Sequence, residues 1–134
     1  MRGDKTLDLL RWTLGATAFA AGADKFTNLL ADWEKYLAPV AERNLPIRAD
    51  RFMQLVGVIE MLVGALILSG HRKLGGYIAG GWLLAVSANL IAGGEYLDIA
   101  ARDINMAMAA LVLAATAGAK SHEHTDFQPL EKAA

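Results

Sequence analysis

The stretch LGGYIAGGWLLAVSANLIAGG, residues 74–94, carries no charged side chain from Leu74 to Gly94. A hydrocarbon core about 30 Å thick needs about 20 apolar residues of α-helix, and this stretch meets that demand. Its limits are marked by charge: His71-Arg72-Lys73 precede it and Glu95 follows. Working outward, Phe52–Gly70 is a second apolar run whose only formal charge is Glu60. Beyond Glu95, Asp98, Arg102 and Asp103 comes Ile104–Ala119, rich in Ala, Met and Leu, with a helix start expected somewhat before Ile104. Toward the N-terminus, Trp12–Ala23 lies between a basic start (Arg2, Lys5, Arg11) and Asp24-Lys25. That layout, with Ala18-Phe19-Ala20 or Ala21-Gly22-Ala23, also suits a cleavable signal peptide. A retained first helix is preferred because similar apolar segments follow it.

No period-2 alternation competes with these runs, and a bilayer admits only helices or closed barrels. The expectation is all-α: an up-and-down bundle of four transmembrane helices, over about 7–27, 51–70, 73–94 and 101–119, in one domain spanning 1–119. Between the first two, residues 28–50 are polar and hold Pro39 and Pro46. Either a surface loop or a short amphipathic helix at the headgroups, around Asp32–Glu42, accounts for them. Residues 120–134 form a polar tail, expected to be exposed and disordered.

Composition agrees only when its distribution is followed. The chain has 134 residues, 54% hydrophobic and 20% charged, with a mean hydropathy of +0.30. A formal net charge of −1 offers no concentrated basic surface, which excludes nucleic acid as the expected partner. Cys is absent, so thiol redox chemistry and disulfides are excluded within this chain. Lys and Arg divide almost evenly between the two sides. The short Arg72-Lys73 turn tips the expectation toward cytoplasmic termini, with the 28–50 connection outside.

Helices in lipid associate through small residues that let backbones approach. Arg11, Gly15, Ala18, Gly22 and Lys25 fall on one face of the first helix, and Gly57, Glu60 and Gly64 on one face of the second. The third offers Gly76 and Gly80 and a second stripe of Gly81, Ala85, Ala88 and Ala92; the fourth offers Asp103, Ala107, Ala110 and Ala114. Gly15, Gly22, Gly57, Gly64, Gly76 and Gly80 are therefore the expected packing glycines.

An ionisable group at mid-span is costly unless paired, so Glu60 is expected to face inward toward Lys25, Arg11 or a polar group on the fourth helix. A register-fixing ion pair and a proton-relay or catalytic role both fit that position. Up-and-down threading also collects Asp24, Lys25, Asn89, Arg102, Asp103 and Asn105 on the side of the polar connection. Such a polar half could receive a small headgroup or quinone ring while the apolar half takes a tail; capping and snorkelling account for the same residues. Trp12, Trp33 and Trp82 suit interface anchoring or packing. His122-Glu123-His124 lacks the further ligands a metal site needs, and no metal is expected.

With Arg11, Gly15, Gly22 and Lys25 in the first helix, Gly57, Glu60 and Gly64 in the second, and Asp98, Arg102 and Asp103 at the start of the last, the chain resembles the DoxX-like family of small four-helix membrane proteins over roughly Leu9–Gly118. The resemblance implies a plasma-membrane location and association with redox systems, including subunits similar to those of thiosulfate:quinone oxidoreductases. No cofactor is fixed by these residues; quinone is a candidate ligand, and the lipid bilayer, a redox protein or a second copy of the chain are the candidate partners. The alternative is a stand-alone binder or enzyme acting on a small lipid-like molecule.

Overall fold

The computed structural model describes residues 2–126 of the chain, with side chains over 3–119. Four long helices form the body: α1 (Arg2–Asp24), α3 (Ala49–Leu68), α4 (Arg72–Gly93) and α5 (Leu97–Asp126). Between α1 and α3 lie a 3-10 turn over Trp33–Tyr36 and the short helix α2 (Pro39–Asn44), begun by a proline whose missing N–H costs nothing at that position. No strand occurs among the described residues. Three of the helices are long and apolar enough to cross a membrane: α3, α4, and α5 over Leu97–Ala119. α1 is as long but holds Asp8, Arg11 and Asp24.

Glycine ends two of these helices. α3 stops at Ser69, whose N–H donates to the carbonyl of Ala65, and Gly70 takes the turn at φ 101°. α4 closes on Gly94 at φ 75°, whose N–H reaches the carbonyls of Leu90 and Ile91. Both are left-handed conformations that glycine adopts without a Cβ penalty. α5 starts at Leu97 rather than near 101, since the turn after Gly94 is very short. It also continues through 120–126, where a polar tail is expected, and the rest of that tail, 127–134, lies outside the described residues.

α1 packs against α3 and α4 against α5, and the two pairs join chiefly along α3 and α4. The first seam is backbone on backbone. A Cβ built on Gly22 would stand 2.5 Å from the carbonyl oxygen of Gly57, one on Gly57 2.6 Å from that of Gly22, and one on Gly64 2.7 Å from that of Gly15. In the second seam Gly76 abuts Ala110 and Ala114, and Gly80 abuts Leu111 and Ala107. All six expected packing glycines thus lie in seams. The second α4 stripe does not: Gly81, Ala85, Ala88 and Ala92 are exposed, and a Cβ on Gly81 would meet nothing. The buried row on α4 is instead Gly76, Ala79, Gly80, Ser87 and Leu90, because α5 approaches that side with its own buried Ala107, Ala110 and Ala114.

Small residues inside leave the large ones outside. Among the described residues the largest fully buried side chains are Ile67, Leu113 and Ser87, whereas Phe19, Leu62, Leu84 and Met108, one from each long helix, are exposed. A helix bundle built for water shows polar residues on its outer faces. An apolar exterior on every long helix matches a hydrocarbon surround instead.

Candidate functional site

α1 ends at Asp24, and the next residue, Lys25, turns back into the seam with α3. The two neighbours do opposite work. The Asp24 carboxylate stays with the connection and accepts hydrogen bonds from the Thr27 hydroxyl (3.0 Å), the backbone N–H groups of Leu29 (3.0 Å) and Leu30 (3.0 Å), and the Trp33 indole (2.8 Å). That carboxylate folds the first part of the loop, including Asn28 at φ 50°, back over the bundle. Lys25 points the other way: its Nζ donates to Glu60 Oε2 at 2.6 Å, with the Lys25 side chain 5% and that of Glu60 15% exposed.

Aromatic rings complete the pair. Trp33, tied down by Asp24, lays its ring 3.7 Å from Lys25 Nζ, within cation–π range. Trp82, from the middle of α4, donates its indole N–H to Glu60 Oε1 at 3.3 Å. Both carboxylate oxygens therefore have protein donors, and the ammonium has an anion and a π face. Gly57 makes the approach possible, since its missing Cβ would fall 3.0 Å from the Cβ of Lys25. The expected inward Glu60 is observed, and of its expected partners Lys25 is the one it meets.

The remaining candidates divide. Asp103 is buried, at 7% exposure. It also sits beside Arg102, at 3.5 Å, whose own side chain is 65% exposed; an ion pair so open to its surroundings contributes little. The capping explanation for Asp103 fails, because α5 starts at Leu97 and Asp103 lies beyond its first turn. Asn105 is exposed on α5, turned away from the pair. Asn89 serves as a latch: its amide donates to the carbonyl of Tyr36 (2.7 Å) and accepts from the N–H of Ala38 (3.0 Å), pinning the connection to α4. Beside that latch is a cavity of about 60 Å³ lined by Tyr36, Pro39, Leu90 and Tyr96 among others, well below the ~300 Å³ at which ligand pockets begin.

Arg11 lies in the first half of α1, level with the last residue of α3 and far from Glu60. It donates to the carbonyl of Leu68 at 3.3 Å and faces Asp8 at 3.5 Å, so it is no partner of Glu60. Trp33 and Trp82 were the missed members of the site. Trp82 had a signal: a buried indole N–H needs an acceptor, and its span supplies no acidic one of its own. No group of His, Cys, Asp or Glu suited to a metal ion occurs among the described residues, and the side chains of His122, Glu123 and His124 lie outside them. Comparison of the chain with family models, with curated proteins and with solved structures returns no match.

Proposed function

We propose that this chain is a four-crossing protein of the plasma (inner) membrane, both termini cytoplasmic, that acts as an accessory, quinone-interacting subunit of a membrane redox system, as the DoxX-like resemblance implies. The observation that carries this reading is the Lys25–Glu60 pair, held between Trp33 and Trp82 inside a bundle whose outer surface is apolar. An ion pair withdrawn from water and set against indole is costly to build, which supports a functional role for it in a membrane protein. The fit to a quinone is amphiphilic. Lys25, whose ammonium has N–H groups beyond the one given to Glu60, is a donor suited to a ring carbonyl oxygen, and exposed apolar faces such as Leu55, Val58 and Leu62 on α3 suit an isoprenoid tail. Crossing by α1 is supported by its partnership with α3, whose backbone it touches between Gly15 and Gly22.

Purification in mild detergent tests the function. The expected result is a redox-active partner polypeptide, or quinone near one per chain in the organic extract, retained by the parent and lost from Glu60→Gln. A stoichiometric non-quinone lipid on an isolated chain would favour the stand-alone binder. A chain that carries none of these would remove the redox reading.

A further inference from the structure

At the end of the bundle opposite Lys25, two guanidinium groups share one carboxylate. Arg11 of α1 and Arg72, the first residue of α4, both address Asp8 Oδ1, at 3.5 and 2.5 Å. Asp8 can balance only one of them. Nearby on α1 the sequence has as many bases as acids, Lys5 against Asp4, and the first turn of α4 contains no acidic residue and no side-chain cap. Arg11 is held firmly: its side chain is 17% exposed, it donates to Leu68, and it lies 5.2 Å from the Trp12 ring. Its Nε is buried and has no hydrogen-bond partner among the described residues. Arg72 is 27% exposed and reaches across the end of α3 toward α1. Immediately beside this charged end, Leu9, Trp12 and Leu74 are exposed.

From this juxtaposition we infer that Arg11 and Arg72 form a binding site for an anionic phospholipid, its phosphate bridging the two guanidinium groups and its acyl chain lying along Leu9, Trp12 and Leu74. Guanidinium suits phosphate because its planar fork matches two oxygens. The uncapped N-terminus of α4 adds its dipole in the same direction. A free anion would use the charge but not the apolar flank, whereas a lipid uses both. In the proposed orientation this end meets the cytoplasmic leaflet, where anionic lipids concentrate. Asp8 is then a competitor that weakens the site and keeps it reversible.

Calorimetric titration of the purified full chain in neutral maltoside micelles tests this with short-chain phosphatidylglycerol, phosphatidylcholine and inorganic phosphate as probes. The parent should bind phosphatidylglycerol at least about fivefold more tightly than phosphatidylcholine, the worth of one basic side chain at a membrane surface. Arg72→Gln should erase that preference and Asp8→Asn should strengthen it. Lys73→Gln removes the same charge from the same end but faces Gly118 of α5, and should leave the preference nearly as it is. Equal binding of the two lipids by the parent, inorganic phosphate binding as tightly as phosphatidylglycerol, or equal losses from Arg72→Gln and Lys73→Gln would each overturn the site. Should Arg72→Gln lose its fold, Asp8→Asn decides, because weaker or unchanged binding there contradicts the assignment. The titration involves neither Glu60 nor quinone, so its failure would leave the reading of that site standing.

Discussion

Glu60→Ala is expected to destabilise the purified protein by about 3 kcal/mol, the lower end of what removing one partner of a buried ion pair costs. The loss has two sources. Lys25, with its side chain 5% exposed, would lose its counter-ion, and the Trp82 indole would lose its acceptor. Trp33 would still face the ammonium, but a π face offsets only part of a missing carboxylate. Glu60→Gln should cost less, since an amide oxygen still accepts from either donor. The double variant Lys25→Met/Glu60→Met should recover most of the stability lost by Glu60→Ala, because it removes both charges and leaves neither stranded. Thermal melting in detergent is the measurement. Single and double variants that all melt with the parent would show that the pair anchors nothing.

The second large effect belongs to the α1–α3 seam. Gly22→Ala and Gly57→Ala are each expected to destabilise by about 1–3 kcal/mol, as overpacking does. The added methyl would be driven against a carbonyl oxygen of the facing helix at 2.5 or 2.6 Å, and backbone cannot swing aside as a side chain can. Combining them should cost less than the sum, since the first substitution already parts the helices and makes room for the second. Gly81→Ala is the matched control. It too replaces a helical glycine, but with nothing within 4 Å, and should be neutral or stabilising by up to about 1 kcal/mol through helix propensity. Equal melting of all three against the parent would contradict close backbone contact in this seam.

Charge marks and glycine spacing made much of this arrangement readable. The spans over α3 and α4 begin and end within a few residues of the expected limits, because basic residues, Gly70 and Gly94 punctuate them. The inward Glu60 follows from the cost of a mid-span charge, but its partner stays open in sequence between Lys25, Arg11 and a polar group on the fourth helix, and the structure selects Lys25. Arg11 was harder to place, because a helix face does not specify depth. Yet the sequence did hold that depth: Gly15 and Gly22 are separated as Gly57 and Gly64 are, and matched spacing pairs Gly22 with Gly57 and Gly15 with Gly64 in an antiparallel seam. The same register sets Arg11 opposite Leu68, whose carbonyl it meets, roughly 20 Å along α1 from Lys25 at 1.5 Å per residue.

Other features depend on contacts that no local pattern encodes. Gly81, Ala85, Ala88 and Ala92 make as good a small-residue stripe as the one α5 covers, and only the position of α5 decides between the two sides of α4. Trp33 reaches Lys25 because the Asp24 carboxylate gathers Thr27, Leu29, Leu30 and the indole around itself. A run of polar residues with two prolines gave no sign of that fold-back. Asn89 showed as a polar residue on an apolar span, but its partners are backbone groups at Tyr36 and Ala38, which carry no mark in sequence.

α1 is expected to cross the bilayer together with α3, although its own composition is the least apolar of the long helices. Single-cysteine labelling in intact cells tests it directly, since no native Cys interferes. A membrane-impermeant maleimide should label a Cys placed at Asn44, in the connection, and should reach Cys at Asp4 or Ser121 only after the membrane is permeabilised. Labelling of Asp4→Cys and Asn44→Cys from the same side would show that α1 does not cross, and would contradict the four-crossing account.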